Sequence, residues 1–222
     1  MTLTRVVGKA RTAEMEPAEL EALRSVHGRC AVDVGTGDAH FAYHLASAHP
    51  DWLVVGIDAI DAPMGEIAYR AARKPSRGGR ANLVLLRAAI ETLPAELVQI
   101  ADEVDLLLPW GALLEGIVRA RPDVVEGIAA LARPGGDVRV TLNGEIWLDS
   151  TPARFEDLPV ATPEYVAESM APEFGRAGIQ LQPARYLTAA EAKALPTTWA
   201  RRLGHGRAHP RFVHIEGVRR DG

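Results

Sequence analysis

Short uninterrupted apolar runs alternate along this chain with longer stretches in which apolar residues recur at helical spacing. The runs are residues 30–34, "WLVVGID" (52–58), "NLVLLRA" (82–88), "EVDLLLPWG" (103–111) and "DVRVTLN" (137–143). Each is short and bounded by turn residues, as expected of a strand buried on both faces. Helical spacing through Phe41, His44 and Leu45 follows the first run and ends near His49-Pro50. Residues 61–74 read as a helix closed by Lys74-Pro75 and the glycines at 78 and 79, and helical residues fill 112–132. Strands alternating with helices at this spacing predict βαβ units and an α/β fold with a mostly parallel sheet covered on both faces.

The last third of the chain departs from this rhythm. Residues 145–163 are rich in Pro, Thr, Asp and Glu and read as an irregular insertion. A helix over 164–177, a strand near 179–187, a short helical segment over 188–195 and a final strand, "RFVHIEGV" (211–218), complete the pattern. The 222 residues fit one domain, with no internal repeat and no low-complexity tract.

Composition narrows the class. The chain is 47% apolar and 24% charged, ordinary for a soluble globular protein. No apolar run approaches the roughly 18 residues that span a bilayer. The first residues, MTLTRVVGKARTAE, lack the apolar core of a signal peptide, so a cytoplasmic location and no membrane association are expected. The single cysteine, Cys30, lies in an apolar strand and reads as a core residue. The net charge of −4 hides two basic clusters. Residues 69–87 hold Arg70, Arg73, Lys74, Arg77, Arg80 and Arg87 and no acid, and residues 201–222 hold six arginines against Glu216 and Asp221. Basic patches on an acidic body point to a polyanion held on one face, although solvated helices can cluster charge as well.

The candidate chemistry starts in "CAVDVGTGD" (30–38), a strand that runs into a glycine turn. In an open parallel sheet the ligand sits beyond the carboxyl ends of the strands, and Gly35 and Gly37 let the backbone approach it. Asp58 ends the second strand, where it can accept from two ribose hydroxyls. Both NAD and S-adenosylmethionine (SAM) sites use that geometry, so Asp58 alone does not choose. The flanking acids Asp33 and Asp38 do. A dinucleotide would bring a pyrophosphate to this turn. A like-charge pair at about 4 Å costs roughly 4 kcal/mol at an effective dielectric of about 20. SAM carries an ammonium and a sulfonium instead, and no phosphate. The third glycine of G-x-G-x-x-G is also replaced, by His40. After the third strand, a backbone amide at Ala88 or Ala89 with the acid Glu91 suits an adenine ring; Glu91 equally suits the cap of a helix starting near Thr92.

The acceptor side is read from tryptophans. Strand four ends in Leu108-Pro109-Trp110-Gly111, and Trp199 lies in "TTWARRLGHGR" within the basic tail. Two indoles can sandwich an extruded base at about 1–3 kcal/mol per face, whereas Trp52 and Trp147 read as core. The loop lacks the Asn- or Asp-Pro-Pro-aromatic acceptor that frees an exocyclic amine, which favours a ring nitrogen as nucleophile. His40 and His44 sit four apart on one helix, but no H-E-x-x-H motif or neighbouring cysteine joins them, and no metal is expected. His205 and His209 flank Arg207 and read as part of the anion-facing patch.

"RVVGK", "DVGTGD", "KPSRGG", "LLPWG" and "TWARRLGHGR", in this order, resemble the aminoglycoside-resistance methyltransferases that modify 16S ribosomal RNA at N1 of adenine 1408. The resemblance covers nearly the whole chain. It implies a class I SAM-dependent methyltransferase (Rossmann-like) fold of seven strands, with an N-terminal β-hairpin at about 1–15 and an insertion between strands five and six. It implies that Asp33, Gly35, Gly37, Asp58, Ala88, Ala89, Glu91, Pro109 and Thr198 hold SAM. Trp110 and Trp199 would hold the flipped adenine, with Pro109 near the methyl. Arg70, Arg73, Lys74 and Arg77, on a basic helix, and Arg202 and Arg207 would grip the RNA. The implied substrate is the 30S particle, with the enzyme expected as a monomer. The family usually reads GTGDG; here Ala39 stands in place of the last glycine, and His209 where a stronger base is expected. A tRNA guanine-N7 methyltransferase, which "PDWLVVGID" also resembles, and a SAM-fold RNA-binding factor without catalysis are the alternatives. An NAD-dependent oxidoreductase is disfavoured by the electrostatics of the turn.

Overall fold

A strand covered on both faces must be apolar at every position, and this is how the sequence builds the centre of the sheet. The computed structural model describes residues 2–144, 153–196 and 212–220. An N-terminal hairpin, β1 (Leu3–Gly8) and β2 (Arg11–Met15), leads through α1 (Pro17–Val26) into β3 (Arg29–Val34). Then follow α2 (His40–Ala48), β4 (Trp52–Asp58), α3 (Gly65–Ala71), β5 (Leu83–Arg87) and β6 (Ala101–Leu107). Two helices, α4 (Gly111–Val118) and α5 (Pro122–Leu131), precede β7 (Ala132–Asn143). The C-terminal part holds α6 (Pro163–Tyr165), a π turn, α7 (Ala171–Arg176), β8 (Ile179–Leu181), β9 (Arg185–Tyr186), α8 (Ala189–Ala194) and β10 (Phe212–Arg219).

The strands form one sheet in the order β2-β1-β5-β4-β3-β6-β7-β10-β8, with β9 also on β10. Neighbours from β5 through β4, β3 and β6 to β7 are parallel. Chain order reverses at β3, which has β4 on one side and β6 on the other. This is the switch point where an open α/β sheet leaves a crevice. On one face Ala31, Val54, Leu83 and Leu85 pack against Ala42, Ala46 and Ile67 of α2 and α3. On the other, Val32, Val55, Val84 and Val104 pack against Ile117, Val124, Ile128 and Phe174. Cys30 lies in this second core, fully buried, and burial pushes its thiol up to about 12.

The expected α/β architecture and hairpin are present, with ten strands among the described residues where seven are expected. The hairpin joins the same sheet through antiparallel pairing of Arg5 with Leu86. The strand expected near 179–187 divides into β8 and β9, with Pro183 between them. The helix expected over 112–132 is two helices: Ala120 adopts a left-handed φ of 46° and Pro122 opens the second. The expected helix over 61–74 ends at Ala71, because Lys74 precedes a proline and is held extended (ψ 147°). Residues 17–26, to which the apolar pattern assigns no element, form α1. Leu20 is its only buried side chain, so its periodic signal is faint, but a capping box of Glu16 and Glu19 with Pro17 starts it. The first part of the expected insertion (145–152) and Trp147 lie outside the described residues.

One glycine fixes how the helical layer meets the site. A Cβ on Gly127 of α5 would lie 2.1 Å from the carbonyl oxygen of Ile90, in the 3-10 turn Ile90–Thr92. Backbone cannot yield cheaply, so Gly127→Ala must push this turn off α5. The substitution is expected to lower unfolding free energy by about 1–3 kcal/mol in urea titration; an unchanged midpoint would show that the contact is not tight.

Candidate active site

The turn after β3 is held by the strand beside it. Gly35 (φ 70°) and Gly37 (φ 54°) both adopt left-handed backbone. A Cβ on Gly35 would meet Leu113 at 2.4 Å. The amides of Gly35 and Thr36 both donate to the carbonyl of Ile57 in β4. At the end of β4, Asp58 Oδ2 accepts from the Gly37 amide (3.0 Å) and Oδ1 from the Ile60 amide (2.9 Å). Asp38 accepts from the His40 amide at the start of α2. Ala39, where the family pattern has glycine, is the N-cap of α2 with φ 58°, a conformation that costs a non-glycine residue roughly 1–2 kcal/mol.

Beyond the strand ends lies a cleft of about 610 Å³, a size suited to a small-molecule ligand. Asp33, Gly35, Gly37, Asp58, Ala88, Ala89, Glu91 and Trp110 all line it, so the sheet gathers most of the expected cofactor residues in one place. Among the described residues its charged lining residues are Asp33, Asp38, Asp58 and Glu91, with no Lys, Arg or His. Phe41, Ile60 and Leu113, which sequence reasoning missed, supply apolar wall. Only their placement after strand ends could have marked them.

Three expectations change here. The amide of Ala88 donates to the carbonyl of Asp58 at 2.9 Å, which removes it as a donor to an adenine and leaves Ala89 as the candidate. Glu91 caps no helix: it lies within the short turn Ile90–Thr92. Pro109 is buried, and the cleft wall is formed by its neighbours Leu108 and Trp110.

Asp33 is the unusual member of the set. It is 2% exposed, and Thr36 Oγ1 donates to it at 2.5 Å. Burial pushes its carboxyl up to about 7; the Thr36 hydrogen bond opposes this, and Asp58 and Asp38 add to it by repulsion. Asp105 of β6 stands in register with it. Burial, with Glu103 beside it, holds the Asp105 carboxyl well above the ordinary carboxylate range, opposed by Arg139. Glu103 is neutralised by Arg29 (2.7 Å) and Arg139 (2.6 Å), whereas Asp105 Oδ2 finds no hydrogen-bond partner among the described residues.

Trp110 sits at the N-cap of α4, 45% exposed, between Leu108 (φ 52°) and Gly111 (φ 65°). Phe155, fully buried, meets its ring edge-on with centroids 5.0 Å apart. A left-handed leucine beside a functional loop is backbone strain maintained by the fold; here the Leu108 amide is tied to the Thr141 carbonyl. Trp52 is partly buried, stacked on His49 at 4.0 Å. His40 is beside Asp38 (3.2 Å), and no His, Cys, Asp and Glu group among the described residues is arranged to hold a metal ion.

Arg70, Arg73, Lys74 and Arg77 are exposed. Only Arg70 lies on α3; the others are in the loop and 3-10 turn after it, so the expected basic helix is mainly a basic loop. Thr198, Trp199, Arg202 and Arg207, with His205 and His209, lie outside the described residues.

The raised carboxyl of Asp33 has a signed consequence. Between about pH 4, where an unfolded aspartate titrates, and about pH 7, where Asp33 does, the native state binds the extra proton. Stability therefore falls as pH rises through that window. Asp33→Asn removes this contribution, so its melting temperature relative to the unsubstituted chain is expected to rise from pH 5 to pH 8. A difference independent of pH would refute the raised value.

The comparisons with known proteins agree with this geometry. The chain is 42% identical over 205 residues to the 16S rRNA (adenine(1408)-N(1))-methyltransferase of Streptoalloteichus hindustanus, covering 92% of this chain and 94% of that one. Its fold matches a tryptophan-to-alanine mutant of the corresponding enzyme from Catenulisporales acidiphilia, solved with its cosubstrate SAM. That match has a TM-score of 0.92 and 41% identity, over 99% of this chain and 97% of that chain. The 16S rRNA methyltransferase KamB matches with a TM-score of 0.89 and 37% identity, over 98% of this chain and all of the other. The NpmA family model, described as 16S rRNA (adenine(1408)-N(1))-methyltransferase, matches residues 4–218, and the chain belongs to that family.

Proposed function

We propose that this chain, as a monomer of one domain in the cytoplasm, methylates N1 of adenine 1408 in the 16S rRNA of the 30S subunit and thereby confers aminoglycoside resistance. The observation that carries the cofactor side is the cleft itself: among the described residues, four acids and no base line it around a turn with two left-handed glycines. That lining repels a pyrophosphate and attracts a cation, so the residues fit SAM. Bound SAM supplies a methyl group on a sulfonium, ready for displacement. Asp58, already oriented by two backbone amides, is placed for the ribose hydroxyls. Ala89 and Glu91 face the adenine end. The buried Asp33, at the end of the strand before the turn, serves the ammonium, which favours its ionised form.

The acceptor needs little chemistry from the protein. A ring nitrogen such as adenine N1 presents its lone pair in the plane of the base. No general base is required for the attack, and holding the nucleophile in line supplies most of the rate. Trp110 offers an aromatic face at the cleft, and its strained loop fixes where that face sits. Trp199 is assigned as the second face, with Thr198 beside it toward the methionine end of SAM. Cation–π attraction to the indoles steadies the positive charge that develops on the base. Arg73, Lys74, Arg77, Arg202 and Arg207 bind phosphates around the target. An extruded base loses its stacking in the RNA, and the indoles replace it.

The test is methylation of purified 30S subunits with SAM, read by reverse transcription. The expected result is a stop at adenine 1408. Trp110→Ala is expected to lower kcat/KM by about 5- to 150-fold, the worth of one stacking face, with SAM affinity nearly unchanged. Methylation at another nucleotide would overturn the substrate, and full activity of Trp110→Ala would overturn the stacking role.

A further inference from the structure

The basic loop that follows α3 is held against α2 by Tyr43 and Ser47. Tyr43 is 8% exposed, and its phenol donates to the Gly78 carbonyl at 2.7 Å. The guanidinium of Arg70 lies over its ring at 4.5 Å and that of Arg80 at 5.1 Å. One turn further along α2, Ser47 Oγ accepts from Arg80 Nε at 2.7 Å, and Arg80 also donates to the Gly79 carbonyl. The loop is folded back on itself between these points. The Gly79 amide bonds to Lys74, and the Arg80 amide to Ala71. Gly78 has φ 87°, and a Cβ on Gly79 would lie 1.8 Å from the Arg73 carbonyl oxygen. Both glycines are therefore demanded by the fold of the loop.

This divides the cluster of cations by role. Arg70, although exposed, and Arg80 lie against the Tyr43 ring, whereas Arg73, Lys74 and Arg77 are exposed without such a contact among the described residues. Arg80, stacked on the ring and hydrogen-bonded to Ser47 and the Gly79 carbonyl, has little freedom left to follow a phosphate, and the ring contact restrains Arg70. A loop that had to be ordered on docking would forfeit affinity, so one already ordered binds more tightly. Since α2 starts directly after the Gly37-Asp38 turn of the cleft, one helix carries both the cofactor turn and the anchor of the loop.

We infer that Tyr43 is a positioning residue for RNA docking: it clamps Arg70, Arg80 and Gly78 so that Arg73, Lys74 and Arg77 are presented to ribosomal RNA in a fixed arrangement. This rests on the 30S subunit being the substrate. Tyr43→Phe keeps the ring and removes only the phenol hydroxyl, so it avoids the core cavity of Tyr43→Ala. Losing one partly buried hydrogen bond of ordinary strength is expected to raise KM for 30S subunits about 3- to 10-fold. Neither kcat nor SAM affinity by calorimetry should change by more than about twofold, the residue touching neither reacting group.

A second readout needs no RNA. Limited trypsin digestion at the Arg77-Gly78 bond should be faster in Tyr43→Phe than in the unsubstituted chain, because cleavage requires the loop to open. Raised KM together with faster cleavage supports the inference. Unchanged KM, unchanged cleavage, or a fall in kcat without a rise in KM each overturns it. If the unsubstituted chain itself fails to bind 30S subunits, the substrate falls and the docking role with it. That failure is distinguished from the others because it shows in the unsubstituted chain.

Discussion

A carboxylate buried at the carboxyl end of β3 is the constraint around which this molecule is arranged. Asp33 is 2% exposed, with Asp105 beside it in the sheet, Asp58 at the end of the next strand and Asp38 beyond the turn. Placing acids this close together is unfavourable for the empty protein, and Arg139 on Asp105 and His40 beside Asp38 offset it only in part. The arrangement makes sense when a cation completes it. SAM carries two positive centres and no phosphate, and the cleft is built in the charge complement of that molecule. The glycine turn, Asp58's hold on the Gly37 amide and the Ile57 carbonyl's hold on the turn all serve to keep those acids where a ligand meets them.

The rest of the fold follows from locating that cleft at the switch point of the sheet. The turns after β3, β4, β5 and β6 each contribute one wall, and each is fixed from outside. α5 presses its Gly127 against the turn that carries Glu91. Phe155 packs edge-on to Trp110. α2 runs from the cofactor turn to the basic loop, where Tyr43 holds it. The structure thus separates two electrostatic surfaces that the net charge of −4 conceals: an acid-lined cleft and a basic loop.

Much of this was legible in the sequence because burial on two faces leaves an apolar run that periodicity detects. Asp33, Asp58 and Trp110 stood out because each interrupts or terminates such a run. What remained illegible is of three kinds. α1 buries one side chain, too few to print a period. Left-handed backbone at Ala39, Leu108 and Ala120 is imposed by tertiary packing, and nothing in an alanine or leucine announces it. Whether a polar group is already engaged depends on neighbours far along the chain. The Ala88 amide is held by the Asp58 carbonyl, and the guanidinium of Arg70 lies over the Tyr43 ring, engagements that residue type alone does not disclose.

Calorimetric titration of the purified chain with SAM and, separately, with NAD tests the selection of a cation most directly. The acid-lined cleft predicts saturable binding of SAM and no measurable heat from NAD at the same concentrations. Binding of NAD with an affinity comparable to that of SAM would contradict it, because the pyrophosphate would then be seated against Asp33, Asp38 and Asp58.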